Sequence, residues 1–485
     1  MRMQKMNCRL IASRGFSVEN LYVNGLYAVI AICLLLASPA VFMGQTPSDD
    51  QSSEKTIIPS SWTDADNGYQ VIRLTNDPGS KALDSPRSAF TPDGKDMIYR
   101  TKNGIGVLNL ATLKTRIIAR GSIESLAVGT RTRRVFFTRG ANIKLDTVDI
   151  LYAVNIDTGV TTKLANLPLR ANVMSVNSDE TLLVGDNIEG DGTSYQSFHQ
   201  QASTEVKKEQ EADPNVKITG DDLKERAMKM RAAANVPEDL FTVDLQTGKV
   251  NTILSATDWI GYAQFSPTDP ALIMYTHEGM YYESDRIWTI RSDGSQNQLI
   301  HQRTNKEESA TREFWSQDGK TIWYEWQKPR DKEFAMVGYD VATGKRRLFK
   351  MDKDEVSISY NVAAGDAFFV GSGRHSGGVH RASSAQEGAA RNNKQSIEIL
   401  YPVLVDKKIE ADPEYHSLFN FDNEMAHTYS DAKYVGWFRR VTIANMLKND
   451  YTKLEPNIRI SPDNKYVIFT SNILGPTYIF AVELN

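Results

Sequence analysis

The chain has 485 residues, of which 41% are hydrophobic, and it carries a formal net charge of −4. This length suits two or three average domains, although large all-β architectures of this size can form one unit. The small negative charge gives no basic surface of the kind that nucleic-acid binding requires, so we expect no nucleic-acid partner. Cys8 and Cys33 are the two cysteines, which excludes disulfides and thiolate metal sites from the rest of the chain.

Residues 1–44 have the organisation of a signal peptide with an N-terminal extension. Four basic residues precede an apolar run over residues 27–43, and the small residues Ser38 and Ala40 offer a cleavage site. The alternative is an uncleaved anchor, because the run is close to the lower limit of about 17 residues for a membrane span. We expect a periplasmic or secreted protein with no membrane span in the mature chain.

The next segment, residues 45–67, is polar and rich in serine and aspartate, which predicts a flexible linker. A turn followed by an apolar strand then recurs until the end of the chain. Partner strands with their own turns follow, such as LYAVNIDTGVT and LFTVDLQTGKV. Seven copies of the first element begin at Phe90, Ala127, Ser175, Phe265, Trp315, Asn361 and Ile460.

The repeated unit predicts an all-β fold. Apolar residues alternate with period two, and D-G, T-G and P-D steps mark tight turns. Regular strand pairs at intervals of about 40 to 50 residues are typical of a β-propeller. We therefore predict a seven-bladed β-propeller over residues 68–485, in which residues 69–74 add a strand to the last blade and close the ring. A two-sheet sandwich is the alternative.

Two insertions interrupt the repeat. Residues 198–236 form a short helical insertion, in which helical spacing over residues 223–234 follows a cap signal at Asp221 and Asp222. This insertion is either a lid over one mouth of the propeller or a solvated surface helix. The second insertion, residues 374–395, is rich in glycine, serine and alanine, and we favour a mobile loop there over a metal site at His375 and His380.

The chain contains no nucleophile elbow, Walker loop or dinucleotide fingerprint in a convincing context. Several segments are instead similar to one enzyme family: GYAQFSPTDPALIMYTHEG, DRIW, REFWSQDGKTIWY and LEPNIRISPDNKYVIFTSN. The chain resembles the oligogalacturonate lyases of polysaccharide lyase family 22, as a divergent member, from about residue 68 to residue 485. The resemblance implies a seven-bladed propeller that cleaves oligogalacturonides by β-elimination with a divalent metal, typically Mn²⁺.

That chemistry defines what the site needs. β-Elimination removes the proton at C5, beside the uronate carboxylate, and expels the leaving group at O4. A cation must neutralise the carboxylate, and a positioned base must take the proton. The resemblance places the catalytic arginine at Arg286 and keeps the family's His-Glu-Gly motif at His277, Glu278 and Gly279.

The chain departs from the family at the base and at the metal ligands. The family's base, a histidine, falls on Arg312, and its first metal-binding histidine falls near Ser359. Its Gln-x-x-His-x-His group falls on Thr452, Glu455 and Asn457. Glu455 and Asn457 still offer oxygens that suit a hard cation. Without imidazole ligands we expect weak metal binding or none.

Other side chains must then take over these roles. Arginine stays protonated in proteins, so Arg312 is a poor base, but with Arg286 it can clamp a carboxylate. His277 becomes the candidate base, with a structural histidine as the alternative. Tyr281 and Tyr282 are candidates for stacking on sugar rings, whereas we assign Trp288 and Trp315 to the core.

We therefore expect a carbohydrate lyase of the oligogalacturonide lyase type, which degrades pectin fragments or other uronate oligosaccharides. The alternative is a non-catalytic propeller that binds an acidic oligosaccharide or a protein partner. A scaffold propeller also fits the repeats, but it leaves the His-Glu-Gly and DRIW segments unexplained.

Overall fold

A computed structural model of the protein describes residues 60–63, 69–84, 88–139, 149–188, 195–213, 215, 218, 220–280, 282–329, 332–351, 356–357, 359–371, 396–401, 404–405, 433–434, 437–442, 456–472 and 476–484. All of them belong to one compact unit that spans residues 57–485.

The strands are, in chain order, β1 (Ser61–Thr63), β2 (Gln70–Arg73), β3 (Lys81–Ala82), β4 (Asp96–Thr101), β5 (Gly104–Asn109), β6 (Thr115–Arg120), β7 (Leu126–Val128), β8 (Arg134–Arg139), β9 (Asp149–Asn155), β10 (Thr161–Leu167), β11 (Ala171–Val176), β12 (Leu182–Ile188), β13 (Glu238–Asp244), β14 (Val250–Ala256), β15 (Ile260–Phe265), β16 (Leu272–His277), β17 (Ile287–Arg291), β18 (Gln298–Leu299), β19 (Ser309–Trp315), β20 (Thr321–Gln327), β21 (Phe334–Asp340), β22 (Arg346–Met351), β23 (Tyr360–Val362), β24 (Phe369–Gly371), β25 (Ser396–Tyr401), β26 (Leu404–Val405), β27 (Lys433–Tyr434), β28 (Trp437–Thr442), β29 (Arg459–Ile460), β30 (Tyr466–Ser471) and β31 (Tyr478–Glu483). The helices are α1 (Tyr195–Ala212), α2 (Gly220–Ala233) and a 3₁₀ helix, Ala364–Asp366.

These strands form an all-β propeller with two α-helices in its described part. Six sheets have the regular four-stranded antiparallel plan: β3–β6, β7–β10, β11–β14, β15–β18, β19–β22, and β23, β24, β25 and β28. The predicted number of seven blades is therefore wrong and is corrected to six in the described chain. The seventh copy of the repeat, from Ile460, lies in a five-stranded sheet of order β1-β2-β31-β30-β29, because the two ends of the chain pair there. The predicted pairing of residues 69–74 with the end of the chain is confirmed by β2, whose Val71 pairs with Val482 of β31.

The core lies between neighbouring sheets. One cluster joins Met274 and Ile287 of the β15–β18 sheet to Ile322 and Tyr324 of the β19–β22 sheet. Large apolar side chains in β20 fill both faces of that strand, which is buried along its whole length. Trp315 is buried in the same cluster, which confirms its assignment to the core, and Trp288 packs against the neighbouring cluster. Face-to-face packing of twisted sheets is how a propeller buries its apolar residues.

The insertion between β12 and β13 holds two helices instead of the one predicted. Helix α2 corresponds to the predicted helix, and α1 was missed because its buried stripe is only one residue per turn wide: Phe198, Ala202 and Val206. The two helices pack against each other, with Ala202 and Ala227 fully buried between them. Within the described part of the chain, neither helix combines the length and the apolar character that a membrane crossing needs.

Candidate active site at one end of the sheets

The regular sheets have two distinct ends, because their strands alternate in direction and each sheet repeats the same plan. One end carries the connections from second to third strands. It includes the loop 278–286, the helical insertion and the start of β19. We call it the site end. The opposite end carries the connections from first to second strands, such as residues 316–320, and we call it the turn end.

Arg286 lies directly before β17 and is held by two glutamates at the site end. Its Nη1 and Nη2 atoms donate to the two carboxylate oxygens of Glu278 at 2.6 Å each. Its Nε and Nη2 atoms donate to Glu313 of the neighbouring sheet at the longer distances of 3.3 and 3.4 Å. The side chains of Arg286 and Glu278 are only 8% and 10% exposed. Such bidentate charge-assisted bonds are strong, and the cluster contains two carboxylates for one guanidinium.

The loop that follows Glu278 has a fixed shape. Gly279 has φ +132°, and a Cβ atom there would lie 2.5 Å from Ser284 Oγ, so no other residue fits. Arg303 closes the loop from outside: its amide donates to Asp285 Oδ1 at 3.0 Å and its guanidinium donates to the Tyr282 carbonyl. The sequence His-Glu-Gly therefore turns the chain so that Glu278 meets Arg286.

His277, the last residue of β16, forms a histidine–carboxylate pair. Its Nδ1 lies 2.6 Å from Asp258 Oδ2, and its Nε2 lies 3.4 Å from the Tyr275 hydroxyl. The ring packs on Trp288 with centroids 5.0 Å apart. Burial raises the pKa of Tyr275 to about 12, so this phenol stays protonated at neutral pH. The Asp258 carboxylate can fix the tautomer of His277 and support the imidazolium form, as general-base catalysis requires.

Arg312 lies in a bulge of β19, where the pairing with β20 shifts between Thr311 and Phe314. Its φ is +61°, and its Nη1 donates to Glu325 Oε1 at 2.7 Å. Glu325 is fully buried and also accepts from Tyr360 and Gln327 at 2.8 and 2.6 Å. Burial, followed by the Glu325 charge, raises the pKa of Tyr360 well above its usual value. Arg312 thus compensates a buried carboxylate while 31% of its own side chain remains exposed.

The helical insertion contacts this same end. Glu225 of α2 accepts a hydrogen bond from the Tyr282 hydroxyl at 2.7 Å. Arg231 of α2 pairs with the buried Glu238 and lies over the Trp259 ring at 5.4 Å. Burial raises the pKa of Glu238, and the Glu278 charge acts in the same direction although Arg231 opposes both. These contacts place the insertion beside the Arg286 cluster, as the lid hypothesis requires, and give Tyr282 a partner on α2.

The predicted metal positions do not form a donor set among the described residues. Thr452 and Glu455 lie outside the described residues, as do Tyr281, His375 and His380. Asn457 is buried, and its Nδ2 donates to the Ala82 carbonyl at 3.2 Å. Ser359 offers only a hydroxyl, and nowhere in the described part of the chain do three or more His, Cys, Asp or Glu side chains group around one point. A divalent ion prefers several carboxylate or imidazole ligands, so the described residues do not fit one.

Comparison with known proteins shows which enzyme family the chain resembles. A family model described as oligogalacturonate lyase matches residues 225–380. The predicted resemblance is confirmed. The chain is similar to oligogalacturonate lyases. The matched segment contains His277, Arg286 and Arg312, as well as the end of the insertion.

Two oligogalacturonate lyase relatives are similar over about half of the chain. The oligogalacturonide lyase of Pectobacterium atrosepticum is 25% identical over 250 residues, which is 50% of this chain and 55% of the relative. The oligogalacturonate lyase of Dickeya dadantii is 24% identical over 253 residues, again 50% of this chain and 55% of the relative. The chain therefore spans about half the length of the curated relatives it matches.

Solved structures of oligogalacturonate lyases show the same fold over a larger part of the chain. An oligogalacturonate lyase in complex with manganese aligns with a TM-score of 0.61 at 20% identity, over 88% of this chain and 96% of that chain. One from Vibrio parahaemolyticus aligns with the same TM-score and coverage at 18% identity.

Three carboxylates of the site were not predicted from the sequence. Glu313 binds Arg286, Glu325 binds Arg312, and Asp258 binds His277. Glu313 follows Arg312 directly in the REFW segment. Because that segment resembles the family, Glu313 could have been recognised as a site residue. Glu325 and Asp258 lie in segments whose apolar pattern predicts only strands, and no local signal marks them.

Proposed function

We propose that this protein is a carbohydrate lyase that cleaves uronate-containing oligosaccharides, of the oligogalacturonide class, by β-elimination. The observation that carries the proposal is the family match over residues 225–380, a segment that contains Arg286, Arg312 and His277. We assign the two arginines as the cations and the His277–Asp258 pair as the base that the reaction needs.

The two arginines differ in their availability for a substrate carboxylate. The Arg312 side chain is 31% exposed, whereas that of Arg286 is 8% exposed. Arg312 therefore binds the uronate carboxylate first. Arg286 joins by releasing Glu313, whose bonds of 3.3 and 3.4 Å are longer than the two bonds of 2.6 Å to Glu278.

The elimination follows from this arrangement. With the carboxylate neutralised, the C5 proton becomes more acidic, and His277 takes it while Asp258 supports the imidazolium that forms. The electron pair of the C5–H bond forms the C4–C5 double bond, the C4–O4 bond breaks, and the departing O4 takes a proton from water. No step in this sequence passes through a metal ion, because the described residues do not fit one.

A second candidate is a non-catalytic propeller that binds acidic oligosaccharides. It is supported by the cation Arg312 at the position of the family's base, since a guanidinium stays protonated. In this case the two arginines bind the carboxylates and no bond is broken. Either function places the ligand at the site end.

The experiment follows the ultraviolet absorbance of unsaturated uronate products with purified protein and oligogalacturonides, in chelator or in Mn²⁺. We expect product in chelator. For Arg286→Lys we expect the rate to fall by about a hundredfold, because lysine keeps the charge but lacks the two guanidinium nitrogens that bind a carboxylate together. The thermal unfolding of the variant serves as the folding control. Binding without product assigns the second candidate, and product in Mn²⁺ alone refutes the metal-free mechanism.

We also propose export, on the basis of the signal-like residues 1–44. Fractionation of the native cells with N-terminal sequencing of the protein tests this: a mature end near residue 45, ahead of β1, is expected, and an intact N-terminus in the cytoplasm refutes it.

A further inference from the structure

Tyr262 combines a strained backbone with an exposed ring. Its φ is +49°, in the left-handed region that bulky side chains rarely adopt. The residue is 56% exposed, although Gly261 and Ala263 on either side of it are buried. Strained residues of this kind cluster at ligand sites, where the surrounding structure holds them in place.

The backbone is strained at the equivalent position of two other sheets. Tyr262, Arg312 and Asn457 each lie four residues before the serine that opens the first turn of their sheet, and each has a positive φ. In β15 and β19 a bulge occurs at this position. The two strands are directly connected, because Trp315 Nε1 donates to the Gln264 carbonyl at 3.3 Å. Tyr262 and Arg312 are thus equivalent residues on first strands of adjacent sheets, at the site end.

The strained side chains of Arg312 and Asn457 bind groups of the protein itself. Arg312 binds the buried Glu325, and Asn457 donates to the Ala82 carbonyl. The bulge at Tyr262 places the Ala263 amide 3.0 Å from Met174 Sδ, which anchors the backbone on β11. That anchor holds the strand in place while more than half of Tyr262 stays exposed.

We propose that Tyr262 is a platform on which a sugar ring of the substrate stacks, beside the uronate whose carboxylate Arg312 binds. The proposal rests on the proposed function and names the residue that recognises the sugar ring. One face of a pyranose ring carries mainly C–H groups, so it buries apolar surface against an aromatic ring, and the geometry of stacking fixes its orientation. A cation and an aromatic ring on adjacent strands together fit a chain of acidic sugars.

The backbone strain at Tyr262 allows the proposal to be tested by unfolding temperature and sugar binding, without an activity assay. Glycine adopts a positive φ without cost, so Tyr262→Gly relieves the backbone while it removes the ring. If Tyr262 serves only the fold, this variant unfolds at a lower temperature. If it is a platform, the variant unfolds at the same or a higher temperature and binds sugar less tightly.

The experiment is calorimetric titration of the full chain with trigalacturonate and hexagalacturonate, combined with thermal unfolding. We expect Tyr262→Gly to weaken binding by about tenfold or more, which corresponds to about 1.4 kcal/mol. Tyr262→Phe keeps the ring and should bind within about twofold of the wild type. Val160→Ala is the matched control, since Val160 is 60% exposed but lies between β9 and β10, and it should bind like the wild type.

Three results would overturn the platform: equal binding by Tyr262→Gly and the wild type, lost binding in Tyr262→Phe, or lost binding by Tyr262→Gly with a lower unfolding temperature. Failure of the wild type to bind either oligosaccharide refutes the proposed function itself. Because that outcome is read from the wild type alone, it is distinct from failure of the platform.

Discussion

In the β15–β18 and β19–β22 sheets, the turn end and the site end are stabilised by different kinds of interaction. At the turn end, Ser316 Oγ donates to Asp318 Oδ1 at 2.8 Å, and the Lys320 amide donates to the same oxygen at 3.1 Å. At the site end, Arg286 binds Glu313, which is 27 residues away in the chain, and both side chains are buried.

This difference separates what serves the fold from what serves a ligand. A local turn satisfies its own polar groups at little cost, because its side chains stay close to water. Buried ion pairs cost desolvation free energy and seldom stabilise a protein more than apolar residues would. In the described residues of these two sheets the buried ion pairs lie at the site end, which supports a binding or catalytic role for that end.

Loss of the Arg286 charge should have the largest effect on stability. Arg286→Ala leaves Glu278 and Glu313 buried without their cation, so we expect the free energy of unfolding in urea to fall by about 3–5 kcal/mol. Arg133→Ala is the matched control, because Arg133 contacts three aspartates at the turn end but is 27% exposed. We expect a loss of about 1 kcal/mol there. Equal losses for the two variants would remove the contrast between the ends.

Arg312 and Glu325 should be energetically coupled. Arg312→Ala leaves the buried Glu325 with hydrogen bonds from Tyr360 and Gln327 but without a cation, so we expect a loss of about 1–3 kcal/mol. Glu325→Gln in the same chain removes the uncompensated charge and should restore part of that loss. A double-mutant cycle in urea measures the coupling, and a value near zero would show that the pair is only a surface contact.

Glu308 should make the site end sensitive to acid. Burial alone would raise its pKa, but hydrogen bonds from His301, Thr304 and Trp326 outweigh burial and hold the pKa well below its usual value. Because the folded pKa lies below the unfolded one, the stabilisation is present above the unfolded pKa of about 4.5 and is lost as the pH falls below it. Unfolding temperatures of Glu308→Gln between pH 6 and 3 (roughly the window of carboxylate titration) should fall less steeply than those of the wild type. Parallel curves would contradict this.

The smallest effect is expected at the turn end. Asp318→Ala removes the two local hydrogen bonds of its turn and should cost about 0.5–1.5 kcal/mol in urea. Asp463→Ala tests the same turn chemistry in the five-stranded sheet, where Ser461 Oγ and the Lys465 amide both donate to Asp463. We expect similar losses for both variants. A loss as large as that of Arg286→Ala would mean that the turn end is not locally stabilised.

The same contrast explains how much could be predicted from the sequence. The strands and turns follow from local chemistry, because alternating apolar residues with D-G, T-G and P-D steps predicted them. Helical spacing after Asp221 and Asp222 predicted helix α2. The resemblance to the family predicted Arg286 and His277 as site residues. Neither source predicted Glu325 or Asp258, because their roles depend on which sheets become neighbours.

Two expectations needed information beyond local pattern. The prediction of seven blades counted the copy at Ile460 as a further blade, but this copy lies in a five-stranded sheet that contains the predicted strand β2 and also β1, which was not predicted. The positions at which weak metal binding or none was expected rested on a register carried over from the family. In the described residues, the Asn457 Nδ2 atom donates to the Ala82 carbonyl, a contact that only the packing of the first and last sheets reveals.

The role of the site end in elimination is tested by comparing variants of the two ends in one assay. The rate of formation of unsaturated uronate from oligogalacturonide is measured for the wild type, Arg286→Lys and Arg133→Lys. If the site end performs the elimination, Arg286→Lys loses about a hundredfold or more in rate and Arg133→Lys keeps the rate of the wild type. Equal rates for the two variants, or no product from a wild type that is folded, would contradict elimination at the site end.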